Sequence, residues 1–185
     1  MSQAGKAQRT RERLVGVALE LFATDGFENT SVAQISRAAG VTEMTFYRNF
    51  PSKERVVLDD PFDPAIAAAV ARQPRDVPAL VAVARGIRAV WSSEGTAETD
   101  RIRDRLRVIA SSPRLRVAMA QSTARTEMAI RDALCARGVD SLDADVAAAS
   151  AIGALNATLM SWAQRTDEPI GAAIGRALGI LEGAR

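Results

Sequence analysis

Residues 30–53, TSVAQISRAAGVTEMTFYRNFPSK, constrain this chain more than any other stretch. They read as two short helices around a tight turn. Ser31 is placed to cap the first helix, and Gln34, three residues on, stands where the partner of a capping box belongs. Val32, Ile35 and Ala39 recur at helical spacing, so one side of that helix is buried. Gly40 supplies the stop, because the residue after a helix end commonly takes a positive φ that is cheap for glycine. Val41 fills the corner and Thr42 caps the second helix. Phe46 and Phe50, four apart, face the core, which turns Glu43, Met44, Thr45, Tyr47 and Arg48 outward. This is the helix-turn-helix arrangement, whose second helix enters the major groove of DNA.

The stretch has a matching lead-in. A first helix is expected over residues 10–24, with Leu14, Val17, Ala18, Leu21 and Phe22 on its inner face; Gly26 ends it and Phe27 returns to the core. Together, Ala18, Leu21, Phe22, Gly26, Phe27, Thr30, Ser31, Ile35, Ser36, Ala39, Gly40, Val41, Thr45, Phe46, Tyr47 and Phe50 to Lys53 stand at fixed spacing. In these residues the chain from Leu14 to Lys53 resembles the N-terminal domain of the TetR family of bacterial transcriptional regulators. Two positions depart from the family pattern. Glu43 puts an acid at the exposed start of the recognition helix, and Asn49 stands where the family often has histidine.

Composition narrows the function from the other side. The chain has 185 residues, no histidine and one cysteine, Cys135. That excludes Ser-His-Asp and Cys-His nucleophile pairs, His-ligated metals and thiolate zinc sites, so neither catalysis nor a cofactor is expected. A lone cysteine makes no intramolecular disulfide and suits a reducing cytoplasm. The formal net charge is only +2, so the case for nucleic acid rests on the motif rather than on bulk charge. No signal-peptide pattern opens the chain. Residues 146–163 are long and nearly uncharged, but they are rich in alanine and carry Asn156, Thr158 and two serines, so a buried helix is expected rather than a membrane span.

Along the rest of the chain, residues 1–8 read as a loose arm, and Lys6, Arg9, Arg11 and Arg13 form a basic cluster that is either a phosphate-contacting arm or a solvated first turn. Helices are expected over 32–38 and 43–49. A fourth has Pro51 in its first turn and runs through Val56, Val57 and Leu58 to about Asp59. Pro61 and Pro64 mark a boundary, giving a DNA-binding domain over 1–60 and a helical ligand-binding and dimerisation domain over 61–185. In that body, helices are expected over 65–72, 77–93 (with Asp76 capping), 97–111, 113–137, 142–165 and 169–182, broken at proline, glycine and polar clusters. The fold class is all-α. Arg103 and Arg107 share a helix face and either meet an acidic ligand group or pair with Asp100 and Asp104.

Gly171, Gly175, Gly179 and Gly183 recur at intervals of four near the C-terminus. Glycine inside a helix costs about 0.8–1 kcal/mol relative to alanine, so the repeat implies a compensating close approach. The family resemblance implies that the last two long helices pair with those of a second copy. A homodimer between Leu142 and Glu182 is therefore expected, with packing inside one chain as the alternative.

On double-stranded DNA, a palindromic operator is expected. Thr45, Tyr47 and Lys53 are candidates for phosphates, and Glu43, Met44 and Arg48 for base edges: arginine favours guanine and glutamate can accept from cytosine N4. Ser31 and Thr42, at helix starts, are candidates for phosphates as well as caps. The resemblance implies a small-molecule effector, of hydrophobic character, held inside the body and releasing the operator. Trp91, Met119, Thr123, Met128, Asn156 and Met160 are the candidate lining, with Trp162 beside them. The rival readings are a small-molecule- or protein-binding helical dimer with a degenerate helix-turn-helix and, behind it, an enzyme.

Overall fold

The computed structural model describes residues 3–59, 62–91, 96–165 and 168–183. Every regular element among them is an α-helix: α1 (Gln3–Asp25), α2 (Val32–Ala38), α3 (Glu43–Asn49), α4 (Arg55–Leu58), α5 (Phe62–Ala71), α6 (Ala79–Trp91), α7 (Thr96–Ser111), α8 (Pro113–Ala136), α9 (Ser141–Ala163) and α10 (Ile170–Leu181). By contact, the chain divides into a first unit, Met1–Asp59 with Arg107–Met119, and a second, Asp60–Leu106 with Ala120–Arg185.

In the first unit α1 packs on α2 and α4, and α2 on α3. Leu14, Ala18, Phe22, Phe27, Ile35, Ala39, Phe46, Phe50, Val56 and Val57 are all buried there. Phe22 and Phe27 meet at a 5.1 Å ring separation, and Phe46 and Phe50 at 5.8 Å. Two expectations are corrected. The arm over 1–8 is helical from Gln3, because Ala, Lys, Gln and Arg are good helix formers and extending an existing helix adds one bond per residue. Pro51 lies in a turn ahead of α4, not in its first turn. The amides of Val56 and Val57 reach back only three residues, to Lys53 and Glu54, so regular helix starts at Arg55.

In the second unit α5 packs on α6, and α6, α9 and α10 pack on one another. Ile66, Val70, Val83, Ile87, Trp91, Ile130, Leu134, Ile152, Leu155, Leu159, Trp162, Ile174 and Leu178 form one apolar cluster. α5 begins earlier than expected, at Phe62, with Pro64 in its first turn, where no amide donor is missed. α6 begins at Ala79; Asp76 instead lies in a turn closed by the Val77 amide on Pro74 O, and Ser93 is outside the described residues. The α5–α6 crossing is close. A Cβ on Gly86 would lie 2.8 Å from Val70 Cγ2 and 3.2 Å from Val70 N. Arg137, only 7% exposed, donates to the carbonyls of Gln73, Pro74 and Val77 and so closes the end of α8 over the α5–α6 turn.

α9 is long and apolar enough to cross a membrane by length and composition. Its Ala144, Ala147, Ala148, Ala151, Ile152, Leu155, Leu159 and Trp162 are buried within the second unit. Its opposite side is uncovered: Leu142 is 68% and Val146 58% exposed, as is Ile180 of α10 at 71%. A Cβ on Gly153, Gly171 or Gly175 would meet nothing within 4 Å, so packing inside one chain does not explain those glycines. Gly183 has φ +74° beyond the end of α10 and is a cap rather than a fourth member of the helical repeat.

Candidate nucleic-acid interface and effector region

The helix-turn-helix is built by local hydrogen bonds. Ser31 Oγ accepts from Gln34 N, and Gln34 Oε1 accepts from Ser31 N, which completes the capping box. At the other end of α2, Gly40 has φ +62°. Its amide donates to Arg37 O while the Val41 amide donates to Ser36 O, the paired bonds of a Schellman stop. Thr42 Oγ1 accepts from Thr45 N at 3.2 Å and starts α3.

Within α3 the split of faces is sharp. Phe46 and Phe50 are fully buried, while Met44 is 70% and Tyr47 51% exposed, with Glu43 and Arg48 exposed beside them. These four are free to meet a groove, and they combine an acceptor, a forked donor and two broad apolar surfaces. Thr45 is half-buried and its hydroxyl is bonded to Thr42 Oγ1 at 3.0 Å; Ser31 and Thr42 are exposed but already serve as caps.

Two basic side chains turn inward. Lys53 Nζ donates to Phe27 O at 2.6 Å and to Thr30 O at 2.7 Å, and lies 4.2 Å from the Phe27 ring centre. Burial lowers its pKa from the usual lysine range. Two of its three donors therefore hold the α1–α2 loop. Arg11 donates to Asn49 O and to Asp59 Oδ2, both at 2.6 Å, and stacks 4.1 Å over Phe50. Arg55 pairs with the same Asp59. Of the basic cluster, Arg11 is thus a structural clamp; Lys6, Arg9 and Arg13 are exposed.

A second polar group flanks the motif. Glu28 Oε1 accepts from Ser112 Oγ at 2.6 Å, and Arg114 Nη2 pairs with Glu54 Oε1 at 2.6 Å. The Ser112 bond leads the causes that hold Glu28 below the ordinary carboxylate range. Burial pushes Glu54 up, but hydrogen bonds from its own amide and Ser52, with the charges of Arg114 and Lys53, bring it below that range. Sequence reasoning missed Ser112 and Glu28 and read Arg11 only as one of a basic cluster; the partners of these residues lie 38 to 84 residues away.

Thr123 and Asn156, both candidate effector residues, are in contact. Asn156 Nδ2 donates to Thr123 Oγ1 at 3.1 Å. Trp91 is in the apolar cluster of the second unit and Met160 packs against it. Met119 belongs to the first unit. Met128 is 58% exposed, because Thr126, Ile130 and Leu134 take the inner side of α8. Trp162 is buried, with Arg103 stacked 4.2 Å over its ring and its Nε1 donating to Glu168 O. A groove of about 460 Å³ runs between α9 and α10, lined among others by Ala157, Ser161, Trp162, Arg165, Arg176 and Ile180. No group of histidine, cysteine or acidic side chains that could hold a metal occurs among the described residues.

A helix-turn-helix with a solvent-facing second helix, joined to a larger helical unit, defines a DNA-reading protein of regulatory type. The family models agree with that geometry: residues 14–59 match the bacterial regulatory proteins of the tetR family, and residues 77–185 match the MftR C-terminal domain. The chain belongs to the TetR family of transcriptional regulators. It is 42% identical over 87 residues to the HTH-type transcriptional regulator TcmR of Streptomyces glaucescens, covering 46% of this chain and 38% of that one. It is 32% identical over 118 residues to a protein named MftR from Mycobacterium tuberculosis, covering 62% of this chain and 59% of that one. The alignments thus span 38% and 59% of these relatives. In fold it is similar to the TetR-family repressor FadR of Thermus thermophilus, solved in complex with lauroyl-CoA, at a TM-score of 0.55 and 20% identity over 94% of each chain.

Proposed function

We propose that this chain is a ligand-responsive repressor that binds a palindromic operator as a homodimer in the cytoplasm and is released by a small hydrophobic effector. The observation that carries the reading is the division of α3. Phe46 and Phe50 lock the helix to the core, and Glu43, Met44, Tyr47 and Arg48 are left on the outside. Arg48 is assigned to a guanine edge, Glu43 to a cytosine amine, and Tyr47 and Thr45 to phosphates. Lys53 keeps one donor for a phosphate, and its main role is to hold the loop before α2.

The second unit is assigned to dimerisation and effector binding. Leu142, Val146 and Ile180 present apolar surface, and the uncovered glycines of α9 and α10 allow a second copy to come close. In a two-fold dimer the recognition helices must stand about 34–36 Å apart to read successive major grooves. The effector is placed against the Thr123–Asn156 pair with Trp91 and Met160, and it acts by favouring the conformation that does not fit the operator.

Footprinting on fragments of the source genome across a salt series tests the DNA claim. A short two-fold-symmetric footprint that survives competitor DNA is expected. Arg48→Ala should weaken it by about 1–3 kcal/mol and relax the preference at one base pair per half-site. Diffuse binding that disappears at modest salt would point to phosphate contact alone.

A further inference from the structure

We propose a register for two copies of this chain. Their α9 helices cross antiparallel about a two-fold axis between Gly153 and Ala154, and the start of each α9 seats Leu142 and Val146 in the α9–α10 groove of the other copy. This rests on the dimer reading above and goes beyond it by naming which residues meet. The exposed stripe of α9 runs from Leu142 through Val146, Ser150, Gly153 and Ala157 to Ser161, at the spacing of one helix face. Its two ends differ. The N-terminal end is raised, because Leu142 and Val146 are large, apolar and exposed. The C-terminal end is hollow, because Ala157, Ser161 and Arg165 form one wall of the groove and Ala173, Ala177 and Ile180 of α10 the other.

In a two-fold pair each contact is returned, so one pairing along α9 fixes all the others. Laying the raised end on the hollow end sets Val146 opposite Ser161. Leu142 then falls opposite Arg165, Ser150 opposite Ala157, and the axis between Gly153 and Ala154. An observation that played no part in this pairing agrees with it. Two helices come closest where they cross, and small residues let them do so. The crossing falls on Gly153, the one glycine of α9, and a Cβ there would meet nothing within 4 Å in its own chain. A slip of one turn centres the crossing on Ala151 and Ile152 or on Leu155 and Asn156. Ala151, Ile152 and Leu155 are buried in their own chain and turn away from a second copy. The charges match as well. Asp143, exposed beside Leu142, comes next to Arg165 of the other copy, at a groove that also carries Arg176.

Paired cysteines in the full chain carrying Cys135→Ser read the register. Val146→Cys with Ser161→Cys should oxidise to a covalent dimer, because opposed positions on two close helices lie within the span of a disulfide. Neither substitution alone should do so, since each position stands about 22 Å from its own copy at 1.5 Å of rise per residue. Val146→Cys with Ala157→Cys, or with Arg165→Cys, matches a slip of one turn and should cross-link roughly tenfold more slowly. Asp143→Arg should raise the dimer Kd about two- to tenfold, and Asp143→Arg with Arg165→Asp should bring it back. A slipped pair that cross-links faster than 146 with 161 overturns the register and leaves the dimer standing. So does a chain that is dimeric in sedimentation equilibrium but cross-links through none of the three pairs. An unchanged Kd in Asp143→Arg overturns the seating of the two ends. A chain that stays monomeric in sedimentation equilibrium overturns the dimer reading, and the register with it.

Discussion

Alanine at Gly175 separates a helix that needs its glycines from one that merely carries them. In the single chain a Cβ at Gly175 meets nothing within 4 Å, and the same holds at Gly171. Helix propensity then favours alanine by about 0.8–1 kcal/mol, whether or not the chain has a partner. That gain is common to monomer and dimer, so it drops out of the association constant. The cost does not. If α10 packs on a second copy at the 8–10 Å spacing that small residues permit, two-fold symmetry places two new methyl groups in one interface. Overpacking costs about 1–3 kcal/mol for each such insertion. Even at the low end, Gly175→Ala should raise the dimer Kd by roughly 30-fold, at about 1.4 kcal/mol for each factor of ten. Sedimentation equilibrium reads the Kd, and urea unfolding at low concentration reads the protomer. Gly16→Ala is the control. Gly16 is exposed on α1 with open space around it, so it should gain stability and leave the Kd alone. A Gly175→Ala protein that is more stable and dimerises as tightly as the wild type would refute the argument.

Gly86→Ala should have the opposite sign in the single chain. The same propensity gain of about 1 kcal/mol is set against a Cβ 2.8 Å from Val70 Cγ2 and 3.2 Å from Val70 N, where backbone cannot yield. Overpacking costs about 1–3 kcal/mol, and with backbone as the obstacle the cost lies above the low end of that range and exceeds the gain, so the urea midpoint should fall. Acid should weaken the fold in a defined direction. Glu28, Glu54 and Glu182 all lie below the ordinary carboxylate range, Glu182 chiefly through its hydrogen bond with Arg88. The unfolded chain then takes up more protons, so their contribution is present above about pH 4.3 and is lost as pH falls through the lowered folded values. The urea midpoint should hold from neutral pH to about 5 and drop below that, with a shallower drop in Glu28→Gln; a midpoint that does not move would contradict the assignment.

The helix-turn-helix was legible because its information is local. A capping box four residues long, a glycine stop and two phenylalanines four apart need no tertiary knowledge, and each is found as read. The long-range ties were not legible. Lys53 read as a phosphate contact because nothing in its neighbourhood says that the carbonyls of Phe27 and Thr30 stand within its reach. Arg11 looked like one of four basic arm residues until its partners, Asn49 and Asp59, were placed. Arg137 carries no local mark beyond a position at a helix end, where a cation is favoured anyway. Met128 and Trp91 read alike as apolar candidates, and a rotation of about 100° per residue decides which is exposed. The glycine repeat was half legible: the interval was correct, but Gly183 belongs to a cap and only the helical members lie along a face.

The corner formed by Arg107–Met119 also limits how the chain can be cut and recombined. A boundary drawn at Pro61 looks like a natural splice point, since the family model for the reading head ends at residue 59. A fragment ending there would carry Glu28 and Glu54 without Ser112 and Arg114. A chimera that grafts this head onto another body would inherit a foreign corner, with other residues set against Glu28 and Glu54. Exchange of parts in such a chain is better planned as three segments than as two, with the short middle piece travelling with the head.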